Sequence, residues 1–267
     1  METKEAFQTI LTTCGFTKPK EHGYIMIWIG SVTFVLFFAF YNGVSWIGLI
    51  ISLLLAIGTL FSEDWILTVL KTRFRSIPFI APTTMLILFG LLIYFRHSKY
   101  LLYSLIINIT VGIFWLFSSL RTKKRTSDEI AFGAAVMGIF SLPLAVASSK
   151  SISKETFAFM VIISLLYTLY ASFQVLYVET HRNRLKPSTL FYLSLISIII
   201  FSVALYFHNS IYMPLTIPLI IPLVQYFIQY KRKLTLSEKS FKTVGLEVTF
   251  TLFGFLGLEI LIFFLIK

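Results

Sequence analysis

The sequence predicts an all-α, polytopic integral membrane protein, a helical bundle that forms one domain over residues 1–267. Only 13% of the residues are charged and 57% are hydrophobic, whereas about 25% of an average soluble domain is charged. The mean hydropathy of +0.85 excludes a soluble globular domain and a disordered chain. Long unbroken apolar runs exclude a β-barrel, and a single cysteine, Cys14, excludes a disulfide scaffold.

About nine apolar runs are long enough to become transmembrane helices, each of which takes about 20 residues. Residues 1–23 lack the pattern of a cleaved signal peptide. We therefore expect a cytoplasmic N-terminal segment followed by a permanent membrane anchor. The runs lie at 24–41, 43–61, 77–95, 100–120, 130–148, 156–178, 189–207, 211–230 and 244–266.

Basic residues are concentrated in every second loop, and this distribution predicts the orientation of the chain in the membrane. The net charge is +11, and 18 of the 23 Lys and Arg residues precede the first run or follow the even-numbered runs. Because cytoplasmic loops are enriched in Lys and Arg, we expect a cytoplasmic N-terminus and an external C-terminus, in the plasma membrane. Topology and attraction to anionic lipids explain the basicity, so we expect no nucleic-acid partner.

The first two runs are separated only by Asn42, which predicts either a tight external turn or a re-entrant pair of helices. After the second run, Ser62 suits the N-cap position of a helix, and Glu63 and Asp64 follow in the first turn, where the helix dipole favours acids. Four apolar residues between Asp64 and Lys71 fall on one face of a helix; they are Trp65, Ile66, Val69 and Leu70. This pattern predicts a separate short helix lying on the cytoplasmic membrane surface.

Two further patterns lie in the middle of the chain. The fifth run contains Ala134-x-x-x-Gly138, which predicts close helix contact, and Pro143, which predicts a kink. The loops at 71–78 and 180–187 both contain Arg-x-Arg-x-x-Pro, offset by 109 residues. Either an internal duplication or coincidence would explain this repeated motif.

Proline and glutamate mark the last two runs. Pro214, Pro218 and Pro222 lie four residues apart and predict either a broken helix or a bent packing helix. Glu247 lies near the cytoplasmic end of the ninth run, and Glu259 lies 12 residues further on, about 18 Å deeper. A carboxyl in hydrocarbon needs a partner or a cavity. We therefore expect Glu259 to be either a neutral acid hydrogen-bonded to Asn108 in the fourth run or part of a proton-relay or ion site.

The segments at 21–23, 177–184 and 245–247 resemble the YwiC-like family of membrane proteins. Glu21-His22-Gly23 is similar to the beginning of that family, and the stretch from Tyr177 to Arg184 is similar to its arginine loop. Gly245-Leu246-Glu247 resembles its entry to the last helix. The resemblance implies a polytopic membrane protein and assigns no activity.

The layout is also similar to that of UbiA-type prenyltransferases, with nine spans, a cytoplasmic N-terminus and active-site loops after spans 2 and 6. This resemblance implies a lipid-accessible cavity that opens to the cytoplasm. Those enzymes hold Mg²⁺ on a prenyl diphosphate with two aspartate-rich motifs. Here the same loops offer Glu63, Asp64 and Glu179, and adjacent helical side chains do not face one another. We therefore expect no metal site and assign no cofactor.

The favoured function is a lipid- or isoprenoid-handling protein with a cytoplasm-facing polar cavity. Arginine pairs bind anionic head groups bidentately, and His22 and Glu247 are the candidate acid or base residues. If the protein is an enzyme, we expect an intramembrane transferase acting on a lipid or isoprenoid. The candidate substrate-binding residues are Glu21, Glu63, Asp64, Arg73, Arg75, Glu179, His181, Arg182 and Arg184.

Two other functions stay open. A small-solute or proton-coupled transporter would use the broken eighth run and the intramembrane polar residues Asn108 and Glu259. A structural or assembly subunit would need no catalytic motif, and its partners would be other proteins of a membrane complex. In every case membrane lipids are expected partners.

Overall fold

Helices form almost all of the chain that the structure describes. The computed structural model describes residues 22–71, 80–96, 98–121, 127–181, 186–232 and 241–266. Within these ranges there are nine α-helices, one 3-10 helix and no strand, which confirms the all-α prediction for them. The α-helices are α1 (His22–Tyr41), α2 (Trp46–Lys71), α3 (Ile80–Phe95), α4 (Lys99–Arg121), α5 (Ser127–Ser148), α6 (Lys154–His181), α7 (Pro187–His208), α8 (Ile220–Arg232) and α9 (Phe241–Ile266). The 3-10 helix (Ser210–Leu219) lies between α7 and α8.

Five described stretches are long and apolar enough to cross a membrane, and they mark the chain as a membrane protein. They are Lys99–Phe117, Lys154–His181, Ser188–His208, Ser210–Lys231 and Thr243–Ile266. Four shorter apolar helical stretches coincide with other apolar runs of the sequence, at Ile25–Tyr41, Trp46–Phe61, Pro82–Phe95 and Gly133–Ser148. Large apolar side chains point outwards, as a lipid-facing surface requires; Phe207 is 81% and Leu265 is 76% exposed.

The turn between α1 and α2 is tight, as predicted. Gly43 has a φ of 76°, in the left-handed region that glycine adopts without steric cost. The Asn42 side-chain amide donates to the Phe38 carbonyl at 2.9 Å and to Ser149 Oγ at 3.4 Å. The Lys150 backbone amide donates to the Gly43 carbonyl at 2.6 Å. The turn is therefore bonded to the loop that follows α5.

Arg96, between α3 and α4, caps the C-terminus of α5. Its Nε donates to the Ala147 carbonyl at 2.9 Å, and its Nη2 donates to the Ser149 carbonyl. The last carbonyls of a helix lack intrahelical partners, and a cation there complements the helix dipole. Burial lowers the pKa of the Arg96 guanidinium below its ordinary value. We call residues 42–45, Arg96 and residues 149–153 together the turn end.

Small residues let α5 approach its neighbours closely. A Cβ added to Gly138 would lie 2.9 Å from Thr168 Cα in α6, and one added to Gly48 of α2 would overlap the Ala147 carbonyl oxygen. Ala134, one turn before Gly138, is buried. The close contact predicted from Ala134-x-x-x-Gly138 is confirmed, and Pro143 is accommodated within α5 without ending it.

Helix α6 runs from the turn end to the opposite end and carries three buried tyrosines. The Tyr167 hydroxyl donates to the Ile27 carbonyl of α1. The Tyr170 hydroxyl lies 3.0 Å from Thr251 Oγ1 of α9, and its ring stacks on Phe255 with centroids 4.4 Å apart. Because these contacts join α1 and α9 to α6, they fix how α9 lies against the rest of the core.

The separate surface helix predicted after the second run is wrong. Helix α2 continues without a break to Lys71, so Ser62 does not begin a new helix. No proline or glycine follows Gly58 within α2, and a serine with two acids does not by itself stop a helix that has already begun. The helix has 26 residues, about 39 Å.

The eighth run is not broken into separate helices, but its helix type changes within the proline-containing segment. Residues Ser210–Leu219 form a 3-10 helix that contains Pro214 and Pro218, and α8 begins at Ile220. Ten residues is a long 3-10 segment, since such runs commonly end after three or four. Pro222 falls in the first turn of α8, a position at which proline is tolerated.

Candidate functional site

Only part of the predicted site lies in the described chain. Glu179 and His181 are buried at the end of α6, and Glu247 is partly exposed near the start of α9. His22, Glu63 and Asp64 lie on helices, but the structure does not describe their side chains. Glu21, Arg73, Arg75, Arg182 and Arg184 lie outside the described residues, as do most of the two loops of the proposed duplication.

A cluster of polar side chains joins α6, α8 and α9 at the end opposite the turn end. We call it the polar cluster. Its members lie on the last two turns of α6, along α8 and in the second turn of α9. They are Gln174, Tyr177, Thr180, His181, Gln225, Tyr226, Gln229 and Glu247.

Tyr177 connects Glu247 with His181. Its hydroxyl donates to Glu247 Oε2 at 2.7 Å, and its ring meets the His181 imidazole edge to face, with centroids 4.5 Å apart. His181 Nδ1 lies 3.0 Å from the Tyr177 carbonyl oxygen. The structure therefore brings two of the predicted site residues, His181 and Glu247, into contact with one buried phenol, His181 with its ring and Glu247 with its hydroxyl.

Gln229 links α8 to the end of α6. Its Nε2 donates to Thr180 Oγ1 at 2.8 Å and lies 3.2 Å from His181 Nδ1. Thr180 Oγ1 also lies 2.7 Å from the Tyr177 carbonyl oxygen, to which it can donate. These hydrogen bonds hold the His181 ring in place and satisfy most of the polar atoms on this side of the cluster.

The other side of the cluster is incompletely satisfied. Gln174 Nε2 donates to Gln225 Oε1 at 3.1 Å, yet Gln174 Oε1, Gln225 Nε2 and the Tyr226 hydroxyl have no hydrogen-bond partner among the described residues. A buried polar group without a partner costs about 1–3 kcal/mol. One acceptor, one donor and one hydroxyl of the cluster are therefore left unpaired in the interior.

The predicted hydrogen bond between Glu259 and Asn108 is wrong. Glu259 is 2% exposed, and within the described chain neither of its carboxyl oxygens nor Asn108 Nδ2 has a hydrogen-bond partner. The position of a polar residue within a span predicts its depth in the membrane. The direction that its side chain faces depends on how each helix is rotated against its neighbours.

The residues of the cluster suit hydrogen bonding better than metal binding. Among the described residues, no group of three or more His, Cys, Asp or Glu side chains could hold a metal ion. Amides, hydroxyls and an imidazole offer both donors and acceptors. The arrangement can bind a neutral or anionic polar group, and Glu247 beside Tyr177 can exchange a proton.

Sequence reasoning missed the glutamines and Tyr226. A signal was present, because Gln225 and Gln229 lie four residues apart and therefore on one helical face. Gln174 likewise interrupts an apolar run. No protein-family model, curated protein sequence or solved structure matches this chain.

Proposed function

We propose that the chain is a multi-pass plasma-membrane protein with nine spans, a cytoplasmic N-terminus and an external C-terminus. The distribution of Lys and Arg supports this orientation. It is supported further by the meeting of the turns that follow α1, α3 and α5 at the turn end. In this orientation the turn end is external and the polar cluster is cytoplasmic.

The polar cluster then binds the polar head group of a lipid or isoprenoid at the cytoplasmic side of the membrane. The observation that carries this function is the unsatisfied set of Gln174 Oε1, Gln225 Nε2 and the Tyr226 hydroxyl. Gln225 and Glu247 are partly exposed, so the cluster reaches the surface of the bundle. The apolar tail of such a ligand would pack against the outward-facing apolar side chains of the helices.

The sequence around the cluster favours an anionic head group. Arg182 and Arg184 directly follow His181 in the chain, and guanidinium groups bind phosphate and carboxylate bidentately. The similarity of layout to UbiA-type prenyltransferases agrees with a site after the sixth span. The proposal concerns binding; Glu247, held by Tyr177, is the candidate acid or base for any later transferase chemistry.

Tyr226→Phe tests the proposal, because it removes only the unsatisfied hydroxyl. If a head group bonds to that hydroxyl, the variant retains less co-purifying lipid or isoprenoid in native mass spectrometry, by about 5–10-fold. If nothing binds there, loss of a buried unpaired hydroxyl leaves stability unchanged or raises it. Tyr230→Phe, one turn further along α8 and exposed, is the matched control.

Three results are possible, and each leads to a different conclusion. A discrete ligand that is retained by the wild type and by Tyr230→Phe, and depleted in Tyr226→Phe, supports the head-group site. Equal bulk lipid in all three proteins, together with a higher thermal midpoint for Tyr226→Phe, contradicts it. A stoichiometric protein partner in all samples would instead favour an assembly subunit.

A further inference from the structure

His181 ends α6 with a buried imidazole, and one of its ring nitrogens has two neighbours with opposite requirements. Nδ1 lies 3.0 Å from the Tyr177 carbonyl oxygen, which only accepts hydrogen bonds. The same Nδ1 lies 3.2 Å from Gln229 Nε2, which only donates them. A ring nitrogen either has a hydrogen and donates or has a lone pair and accepts. In this arrangement Nδ1 therefore bonds to one of its two neighbours at a time.

The side-chain amide of Gln229 can remove this conflict by turning. A turn of 180° about its last torsion exchanges Oε1 with Nε2, so that an acceptor faces His181 Nδ1 instead of a donor. Thr180 Oγ1 lies 2.8 Å from Gln229 Nε2 and 3.2 Å from Gln229 Oε1. Because a hydroxyl both donates and accepts, the amide keeps a bond to Thr180 in either orientation.

The two orientations of the amide correspond to two protonation states of His181. In the neutral imidazole with a lone pair on Nδ1, Nδ1 accepts from the Gln229 amide as the structure places it. When Nδ1 takes up a proton from water, an Nδ1–H bond forms, the other ring nitrogen keeps its hydrogen, and the ring gains one positive charge. Nδ1 then donates to the Tyr177 carbonyl, and the amide turns its oxygen towards Nδ1.

The position of His181 favours this imidazolium only when an anion is near. The last carbonyls of a helix carry the negative end of its dipole, and a hydrogen bond from a charged donor is stronger than one from a neutral donor. However, His181 is 2% exposed, and a buried charge without a partner is costly. The empty site therefore favours the neutral ring, and a bound anion favours the charged one. Binding of the proton and of the anion then strengthen each other.

We propose that His181 and Gln229 form a proton-coupled switch: a proton on His181 Nδ1 turns the Gln229 amide and gives the polar cluster the positive charge that an anionic head group requires. Gln229 is a positioning residue in this switch, because it acts through His181. The link to head-group binding rests on the proposed function. The coupling between the proton and the amide does not.

The described chain surrounds His181 mainly with phenols and carboxyls. The groups in or beside the polar cluster lie on α6, α8 and α9; they are Tyr177, Glu179, Tyr226 and Glu247. Asp128 and Glu129 lie in the first turn of α5, at the same end of the bundle. Lys186 and Lys231 are exposed. A carboxylate stabilises a nearby cation, so Glu247, which Tyr177 connects to His181, acts in the same sense as a bound anion.

Nitrogen NMR of the full chain in detergent micelles, with isotope-labelled histidine, tests the coupling. A ring nitrogen with a lone pair and one with a hydrogen have well-separated chemical shifts. The chain has four histidines, and the signals of His181 are those missing in His181→Gln. At about pH 8, where an ordinary histidine is neutral, we expect a lone pair on Nδ1 in the wild type. In Gln229→Leu we expect a hydrogen there, because the donor is gone and the Tyr177 carbonyl stays.

Two further variants make this result specific. Gln229→Glu has nearly the same shape as the wild type, and its carboxylate only accepts, so it should also place a hydrogen on Nδ1. Tyr230→Phe changes the next residue of α8, which is exposed, and should keep the lone pair. A hydrogen on Nδ1 in the wild type at this pH, or a lone pair there in both Gln229 variants, would overturn the switch.

Inorganic sulfate tests the link to an anion, because its own charge does not change near neutral pH. We expect sulfate to increase the protonated fraction of His181 up to a limit, at a fixed pH of about 7. It should bind about tenfold more tightly at about pH 6 than at about pH 8, within the usual range for coupled ligands. In His181→Gln the affinity for sulfate should be equal at both pH values.

The outcomes distinguish this inference from the proposed function. Sulfate binding that depends on pH in the wild type, and not in His181→Gln, supports both. Equal sulfate affinity at both pH values in the wild type overturns the link between proton and anion but leaves a head-group site standing. A nitrogen on His181 that responds to the Gln229 variants but not to sulfate supports the coupled proton and contradicts an anionic head group.

Discussion

Arg96 shows how one side chain can organise an end of the bundle. It lies in the short connection between α3 and α4, yet its hydrogen bonds go to the last carbonyls of α5 and the residue after it. The last carbonyls of a helix have no intrahelical partner. Its role is therefore structural, and it differs from the arginines of the loops after α2 and α6, whose predicted role is head-group binding.

We predict that Arg96→Ala lowers stability by about 1.5–3 kcal/mol, the range for hydrogen bonds to a charged group. A thermal-unfolding midpoint followed by tryptophan fluorescence in detergent measures the effect. Lys99→Ala removes a basic residue from the exposed start of the next helix and is the control. An equal loss in both variants would indicate a general charge effect and contradict the capping role.

The 3-10 helix sets the rotation of α8 and hence the position of the polar cluster. A 3-10 helix turns by about 120° and rises by about 2.0 Å per residue, compared with about 100° and 1.5 Å for an α-helix. Over the ten residues Ser210–Leu219 the two forms differ by about 200° and 5 Å. If this segment were α-helical, Gln225 and Gln229 would face away from α6.

We predict that replacing both Pro214 and Pro218 by alanine favours the α-helical form and separates Gln225 from Gln174. In a Cys14→Ser background, Gln174→Cys and Gln225→Cys should be joined by a short bifunctional thiol reagent. Adding Pro214→Ala and Pro218→Ala should abolish that cross-link, and Pro222→Ala should preserve it because Pro222 occupies the first turn of α8. A cross-link that persists in all variants would show that tertiary contacts, not the prolines, impose the 3-10 form.

The sequence predicts helices well and side-chain partners poorly, for a physical reason. Apolar run length predicts α1 and α9 to within three residues at each end, because crossing hydrocarbon depends on length and hydropathy. Proline chemistry likewise predicts an irregularity before α8, which the structure shows as a 3-10 helix. The predicted hydrogen bond between Glu259 and Asn108 is wrong, and the sequence analysis missed the glutamines of the polar cluster. Hydrogen-bond partners depend on how each helix is rotated against its neighbours, which run length does not predict. The arginine loops lie outside the described residues, so their part of the predicted site stays a prediction.

At the scale of the whole molecule, the unequal distribution of charge predicts which end of the bundle faces the cytoplasm. Cys14, the single cysteine, lies in the N-terminal segment, and Lys150 is exposed at the turn end. We predict that a membrane-impermeant maleimide does not label Cys14 in intact cells but labels it in inverted vesicles. In the Cys14→Ser, Lys150→Cys variant the pattern should reverse. Labelling of both positions from the same side would contradict the orientation.

The bonds at the turn end also bear on the order in which the protein is assembled during synthesis. Asn42 and its partner Ser149 are 107 residues apart in the chain. At about 5–20 residues per second the ribosome needs about 5–20 s to make that interval. For that time the hairpin of α1 and α2 exists without the loop that completes it, and water or lipid head groups must solvate its open amides. The bundle can close at this end only after α5 has been inserted. Synthesis of the α5–α6 loop is therefore the step after which the first half of the chain can reach its final fold.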